Sequence, residues 1–89
     1  MPTPRGGLVA SVVAGRVHVT GGEAFSPRQT FAQHEVYDPA TNSWSAEPDL
    51  PSARHGLGSA TVGGRWYVIG GGRQAGFAIS DLVEIFTPE

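Results

Sequence analysis

Apolar residues in this chain come in short runs that glycine or proline closes. Residues 7 to 13 (GLVASVV) form the first run, and 16 to 21 (RVHVTG) the second. HEVYD at 34 to 38 and SWSAE at 43 to 47 follow, then 56 to 62, 65 to 70 and 82 to 86. Runs this short, rich in β-branched and aromatic residues and bounded by turn formers, predict strands. Ala14-Gly15 is a two-residue hairpin turn, because glycine tolerates positive φ. Pro39 to Asn42 is a turn with proline at its second place. EAFSPRQTFAQ, after the second strand, reads as a polar loop. No window of about 11 residues combines freedom from Gly and Pro with a 3.6-residue period, so no helix is expected.

The chain repeats itself at an offset of 49 residues. Arg5 meets Arg54, Gly7 meets Gly56, Val13 meets Val62 and Arg16 meets Arg65. Gly21-Gly22 meets Gly70-Gly71, Glu35 meets Glu84, and Pro39 meets Pro88. Of 40 paired positions, 12 are identical without any insertion. Repeats of 20 to 50 residues signal solenoids, propellers or arrays. Strands that are apolar towards both faces imply a sheet covered on both sides, as a propeller blade is by its neighbours.

The pattern resembles the kelch repeat of β-propellers. The resemblance rests on Pro-x-x-Arg and Ser-Ala-Arg before the first strand of each repeat and on the double glycine closing the second. It rests also on Val36-Tyr37-Asp38-Pro39 in the third strand and Trp44 opening the fourth. The second repeat departs from it, with Phe86-Thr87-Pro88 and no tryptophan after it. The resemblance implies an all-β chain of about two four-stranded antiparallel blades, residues 1–49 and 50–89, the second lacking its outer strand. Trp44, Trp66 and Tyr37 are then blade-packing residues. Kelch propellers commonly close with about six or seven blades. Two repeats alone would leave apolar faces and an open edge. Repeat units rarely bury a core in such small numbers. Two arrangements meet this: a piece of a longer propeller, or several copies closing a ring, three copies giving six blades.

Composition narrows the chemistry. The chain has 89 residues and no cysteine, which excludes disulfides, thiolate metal sites and thiol nucleophiles. It also excludes the copper-oxidase site of some kelch propellers, which resembles a tyrosine cross-linked to cysteine. All six cations are arginines, scattered along a chain of net charge −2, so nucleic acid is not an expected partner. No apolar run is long enough to span a membrane. MPTPRGGL lacks the regions of a secretory signal, and the compartment is left open.

No cofactor or metal is expected: His18, His34 and His55 lack ligand spacing, and no nucleophile, base and orienter set stands out. The residues chosen for binding are Arg5, Arg54 and His55 before the innermost strands, and Phe25, Arg28, Phe31, Arg73 and Phe77 in the loops after the double glycines. By the resemblance these loops share one face. Arginine forks suit carboxylates, and arginines and aromatics dominate binding hot spots. The alternative for Arg5 and Arg54 is pairing with Glu35 and Glu84; for each Phe, it is anchoring its own loop. The expected function is a non-catalytic scaffold for a protein or carbohydrate partner, with self-association or further blades completing it. The alternative is part of a propeller enzyme acting on a sugar or sugar acid.

Overall fold

Two antiparallel sheets carry the fold, and each begins with a hairpin closed by two residues of positive φ. The computed structural model describes residues 1–76 and 79–87. Its first sheet holds β1 (Val9–Val13), β2 (Arg16–Thr20), β5 (His34–Asp38) and β6 (Ser43–Glu47), in that order. Between β2 and β5 stands a small hairpin, β3 (Glu23–Phe25) and β4 (Arg28–Thr30). The second sheet holds β7 (Gly58–Val62), β8 (Arg65–Ile69) and β9 (Val83–Phe86), and the outer edge of β9 has no strand partner among the described residues. The turns behave as their residues demand: Ala14 and Gly15 take φ of 52° and 77°, Gly63 and Gly64 take 58° and 75°. That is the turn geometry whose twist matches a right-twisted hairpin. No helix of the described residues is long and apolar enough to cross a membrane.

The structure corrects the sequence reading in two places. β1 and β7 begin two residues later than expected, because Gly7 and Gly56 turn to positive φ and bond each other, Gly56 N donating to Gly7 O at 2.7 Å. The segment read as a polar loop contains the β3–β4 hairpin, turned by the cis Ser26–Pro27 peptide.

Register decides which side chains face which sheet, since antiparallel partners point to the same side. Val13, His18, Thr20, His34 and Val36 occupy the face of the first sheet that meets the second. Against it lie Thr61, Trp66, Val68, Glu84 and Phe86. Val13, Trp66 and Val68 form the buried centre, with Val9, Leu50, Leu57 and Phe86 packed around them. At the inner edge Ser11 Oγ and Thr61 Oγ1 share a hydrogen bond of 2.6 Å across the seam.

The double glycines sit where the chain crosses between repeats. Gly22 N donates to Arg54 O at 2.7 Å, and Gly71 runs so close to His55 that a Cβ there would lie 2.5 Å from the His55 carbonyl oxygen. Gly71 also has φ of 80°. Gly71→Ala should therefore lower stability by about 1–3 kcal/mol. Gly64→Asn, at φ 75° with open space around it, should change it little, since Asn tolerates that region. Urea unfolding midpoints of the two variants check this.

Candidate binding face

Arg5 and Arg54 lie 49 positions apart and make matching bonds. Arg5 Nη1 donates to Gln33 O at 2.7 Å and Nη2 to Glu35 Oε1 at 2.9 Å. Arg54 Nη1 donates to Leu82 O at 3.2 Å and Nη2 to Glu84 Oε1 at 2.5 Å. Arg54 Nη1 also reaches Gly70 O, and Thr3 Oγ1 donates to the second oxygen of Glu35. Both arginine side chains are 0% exposed. Of the two roles open to these residues, the geometry is that of pairing with Glu35 and Glu84. Neither guanidinium reaches the surface to meet a ligand.

The exposed chemistry lies above them. Two short bridges, Gly6 with Glu23 and His55 with Gly72, bring the loops before the inner strands against the loops after the double glycines. His55 Nδ1 stands 3.1 Å from Glu23 Oε2, and its Nε2 stands 2.6 Å from Gln74 O. The other oxygen of Glu23 accepts from Gly76 N at 2.8 Å, and Thr30 Oγ1 donates to Arg73 O at 2.9 Å. These bonds tie the β3–β4 hairpin of one repeat to the 73–76 loop of the other. Between them opens a cleft of about 280 Å³, lined by Arg28, Gln29, Thr30, Arg73, Gln74 and Ala75. Both arginines are exposed, and among the described residues neither pairs with a carboxylate. The Arg28 guanidinium lies 5.8 Å from the centre of the Phe25 ring, which is 59% exposed.

Of the residues chosen from sequence, Arg28 and Arg73 line this cleft, with Phe25 beside Arg28 and His55 against the Gln74 carbonyl. Phe31 is buried; its backbone bonds Gly22 and Arg54, which makes it a loop anchor. Phe77 lies outside the described residues. Gln29, Thr30, Gln74 and the clasping Glu23 were missed. The signal for them was the pair of three-residue stretches flanking Ser26-Pro27, which form a hairpin. Among the described residues no group of three or more His, Asp or Glu is placed to hold a metal ion.

A second polar group lies inside the seam. His18 Nδ1 and His34 Nε2 stand 2.7 Å apart, both rings buried. Trp66 and Phe86 pack on them from the other sheet, with Phe86 4.7 Å from His34 and nearly perpendicular to it. One proton serves the contact, so one ring donates and the other accepts, both neutral. Burial pushes His34 down to about 4, and charge on His18 would push it the same way. Burial lowers His18 as well, against the pull of Glu47. The bond of His18 to His34 follows from β2–β5 pairing, which spacing alone did not show.

Comparison with known proteins fits this architecture. A family model described as "Kelch motif" matches residues 4–51. The "Kelch-like protein terF" of Aspergillus terreus is 31% identical over 90 residues, 99% of this chain and 20% of that protein. The "F-box/kelch-repeat protein At1g16250" of Arabidopsis thaliana is 31% identical over 88 residues, 99% of this chain and 22% of that protein. The solved structure of YjhT superposes with a TM-score of 0.72 at 29% identity, over 80% of this chain and 22% of that one. The chain thus spans about a fifth of the length of these curated relatives.

Two outcomes follow from the buried polar groups. Arg54→Met should destabilise the fold by about 3–5 kcal/mol, because Glu84 is left unpaired in the seam. The Arg54→Met, Glu84→Leu double variant should recover most of that loss in urea unfolding. The histidine pair makes stability depend on pH. His34 titrates near 4 when folded, against an ordinary 6.5, so between these values the unfolded chain binds more protons. Stability should be full above about 6.5 and fall as pH drops towards 4. The variant His18→Tyr with His34→Val, which copies Tyr67 and Val83 of the second repeat, should flatten that slope in a series of thermal melts.

Proposed function

The chain belongs to the kelch family, and we propose that it serves as a non-catalytic binding scaffold that meets a protein partner through the cleft between the β3–β4 hairpin and the 73–76 loop. One observation carries this reading. Arg28 and Arg73 stand exposed and unneutralised on a floor fixed by bonds from both repeats, while Arg5 and Arg54 are taken up inside. A rigid floor lowers the entropy cost of binding. Two guanidinium forks beside an exposed phenyl ring match the residue types that dominate protein hot spots. They also favour a partner bearing carboxylates.

A carbohydrate partner has less support, since sugar binding draws on flat aromatic platforms and Phe25 is the only exposed ring among the described residues at this cleft. A propeller enzyme would need Arg and Glu side chains converging on one open pocket. Here Arg5, Arg54, Glu35 and Glu84 bond one another.

Parallel arrays of carboxylate-bearing peptides and of oligosaccharides test the proposal. The wild-type chain should retain peptides and not glycans. Arg28→Ala with Arg73→Ala should weaken retention at least about tenfold at an unchanged urea midpoint. Binding that survives the double variant, or retention of glycans alone, contradicts it.

A further inference from the structure

One titratable ring stands where the loops of the two repeats are tied together. His55 occupies the position that Gly6 holds in the first repeat, so only one of the two repeats has this side chain. The residue is buried, with 8% exposed. Its Nδ1 lies 3.1 Å from Glu23 Oε2 on β3, and its Nε2 lies 2.6 Å from the Gln74 carbonyl oxygen in the 73–76 loop. A carbonyl oxygen and an ionised carboxylate only accept hydrogen bonds. A neutral imidazole has one N–H, so it serves one of these oxygens and turns a lone pair on the other. The imidazolium has two N–H groups and serves both. The two contacts together are therefore those of the charged ring.

The charges around the ring leave Glu23 as its counterpart. Glu23 is the charged side chain paired with it among the described residues. Arg54, its neighbour in the chain, turns its guanidinium to Glu84, and Arg5, beside the Gly6–Gly7 turn, turns to Glu35. Gly7 and Gly71, which pass close to the residue, bring no charge. Arg28 and Arg73 belong to the two elements that the ring joins. Glu23 also reaches the cleft directly. Its Oε1 accepts from Gly76 N, and Arg28 Nη1 would lie 3.8 Å from a Cβ on Gly76. The carboxylate that His55 neutralises and the guanidinium that faces the cleft thus meet the same residue.

We propose that His55 is a proton-dependent clasp on the arginine cleft. The charged ring joins β3 to the 73–76 loop and cancels the charge of Glu23. Loss of its proton has two effects of the same sign. One ring nitrogen then faces an acceptor without a hydrogen, which releases one side of the cleft from the other. Glu23 is also left uncompensated beneath Arg28 and Arg73, which offsets part of their attraction for an anion. Histidine is the side chain that ordinarily changes charge between about pH 5 and 8. A carboxylate-bearing partner should therefore bind more tightly at the acid end of that range. The coupling to a partner rests on the binding reading given above; the clasp itself does not.

Two measurements on the full 89-residue chain test this, one of them without any partner. In NMR at about pH 5.5 both ring nitrogens of His55 should carry protons, and at about pH 8 only one. Over the same rise the exchange protection of the Gly76 amide should fall about fivefold or more. Val19 and Val68 should lose no protection, because the buried His18–His34 pair favours the folded chain as pH rises. A His55 ring with one bare nitrogen at the lower pH, or Gly76 protection that stays level, overturns the clasp. The second measurement is retention of carboxylate-bearing peptides at the two pH values, since their Asp and Glu are ionised at both. Affinity should be about fivefold or more higher at the lower pH. His55→Gln, whose amide gains no charge, should remove that difference. Retention that is equal at the two pH values, or a difference that His55→Gln keeps, overturns the coupling. A clasp that responds to pH while no peptide is retained at either value overturns the binding reading and the coupling with it, and leaves the clasp standing.

Discussion

Arg54 joins the two sheets from within the loop that connects them. Its carbonyl accepts from Gly22 and its amide donates to Phe31 O, both in the first repeat. Its guanidinium meanwhile binds Gly70 O, Leu82 O and Glu84 in the second. A fully buried cation survives only with such a set of partners, since an unpaired charge in a dry interior is very costly. The requirement reaches outward. Gly21 must be glycine for the chain to pass this close to the Arg54 carbonyl, and Gly71 to pass this close to that of His55, while β8 must end and β9 begin where the Gly70 and Leu82 carbonyls can be reached. Glu84 is fixed on the seam side of β9. Arg5 repeats part of this arrangement, its guanidinium binding Gln33 O and Glu35.

That joint also sorts the arginines by role. Of those at the repeat positions, Arg5 and Arg54 are structural because a glutamate recurs to meet each, while Arg16 and Arg65 also recur and are exposed. Those without a counterpart, Arg28 and Arg73, lie in the loops where the repeats differ, and the fold exposes them. The recurrent glutamate partner, more than residue type, separates scaffold from candidate contact surface here. The His18–His34 pair shows the same logic inside the seam. It occupies positions held by Tyr67 and Val83 in the second repeat, and it brings to that seam a histidine pair the second sheet lacks.

Much of the fold was legible in the sequence because the repeat fixes the strand order and the turns. Ala14-Gly15 and Gly63-Gly64 demanded hairpins, and the recurrence of Arg5–Glu35 as Arg54–Glu84 made their pairing one of two readings. The candidate site was less legible. The β3–β4 hairpin has only three residues a side and little apolar content, so its signal is weak beside that of a buried strand. Glu23 gave no sign of its part, because its bonds to His55 and Gly76 depend on how two loops, far apart in sequence, are laid together. Phe31 and Phe25 look alike in sequence. What separates them is the bonding of Phe31's backbone to Gly22 and Arg54, which carries its side chain inward.

The central claim is that the two sheets form one cooperative unit stitched through Arg54. Native-state amide hydrogen exchange, read residue by residue by NMR, tests it most directly. The amides of Gly22, Arg54 and Gly56 are among those whose bonds cross between repeats. They should exchange only through global unfolding, at the same free energy as Val19 and Val68 in the strand centres. Exchange of these three through a lower-energy opening, with either sheet still protected, would mean that the sheets separate on their own and would contradict the account.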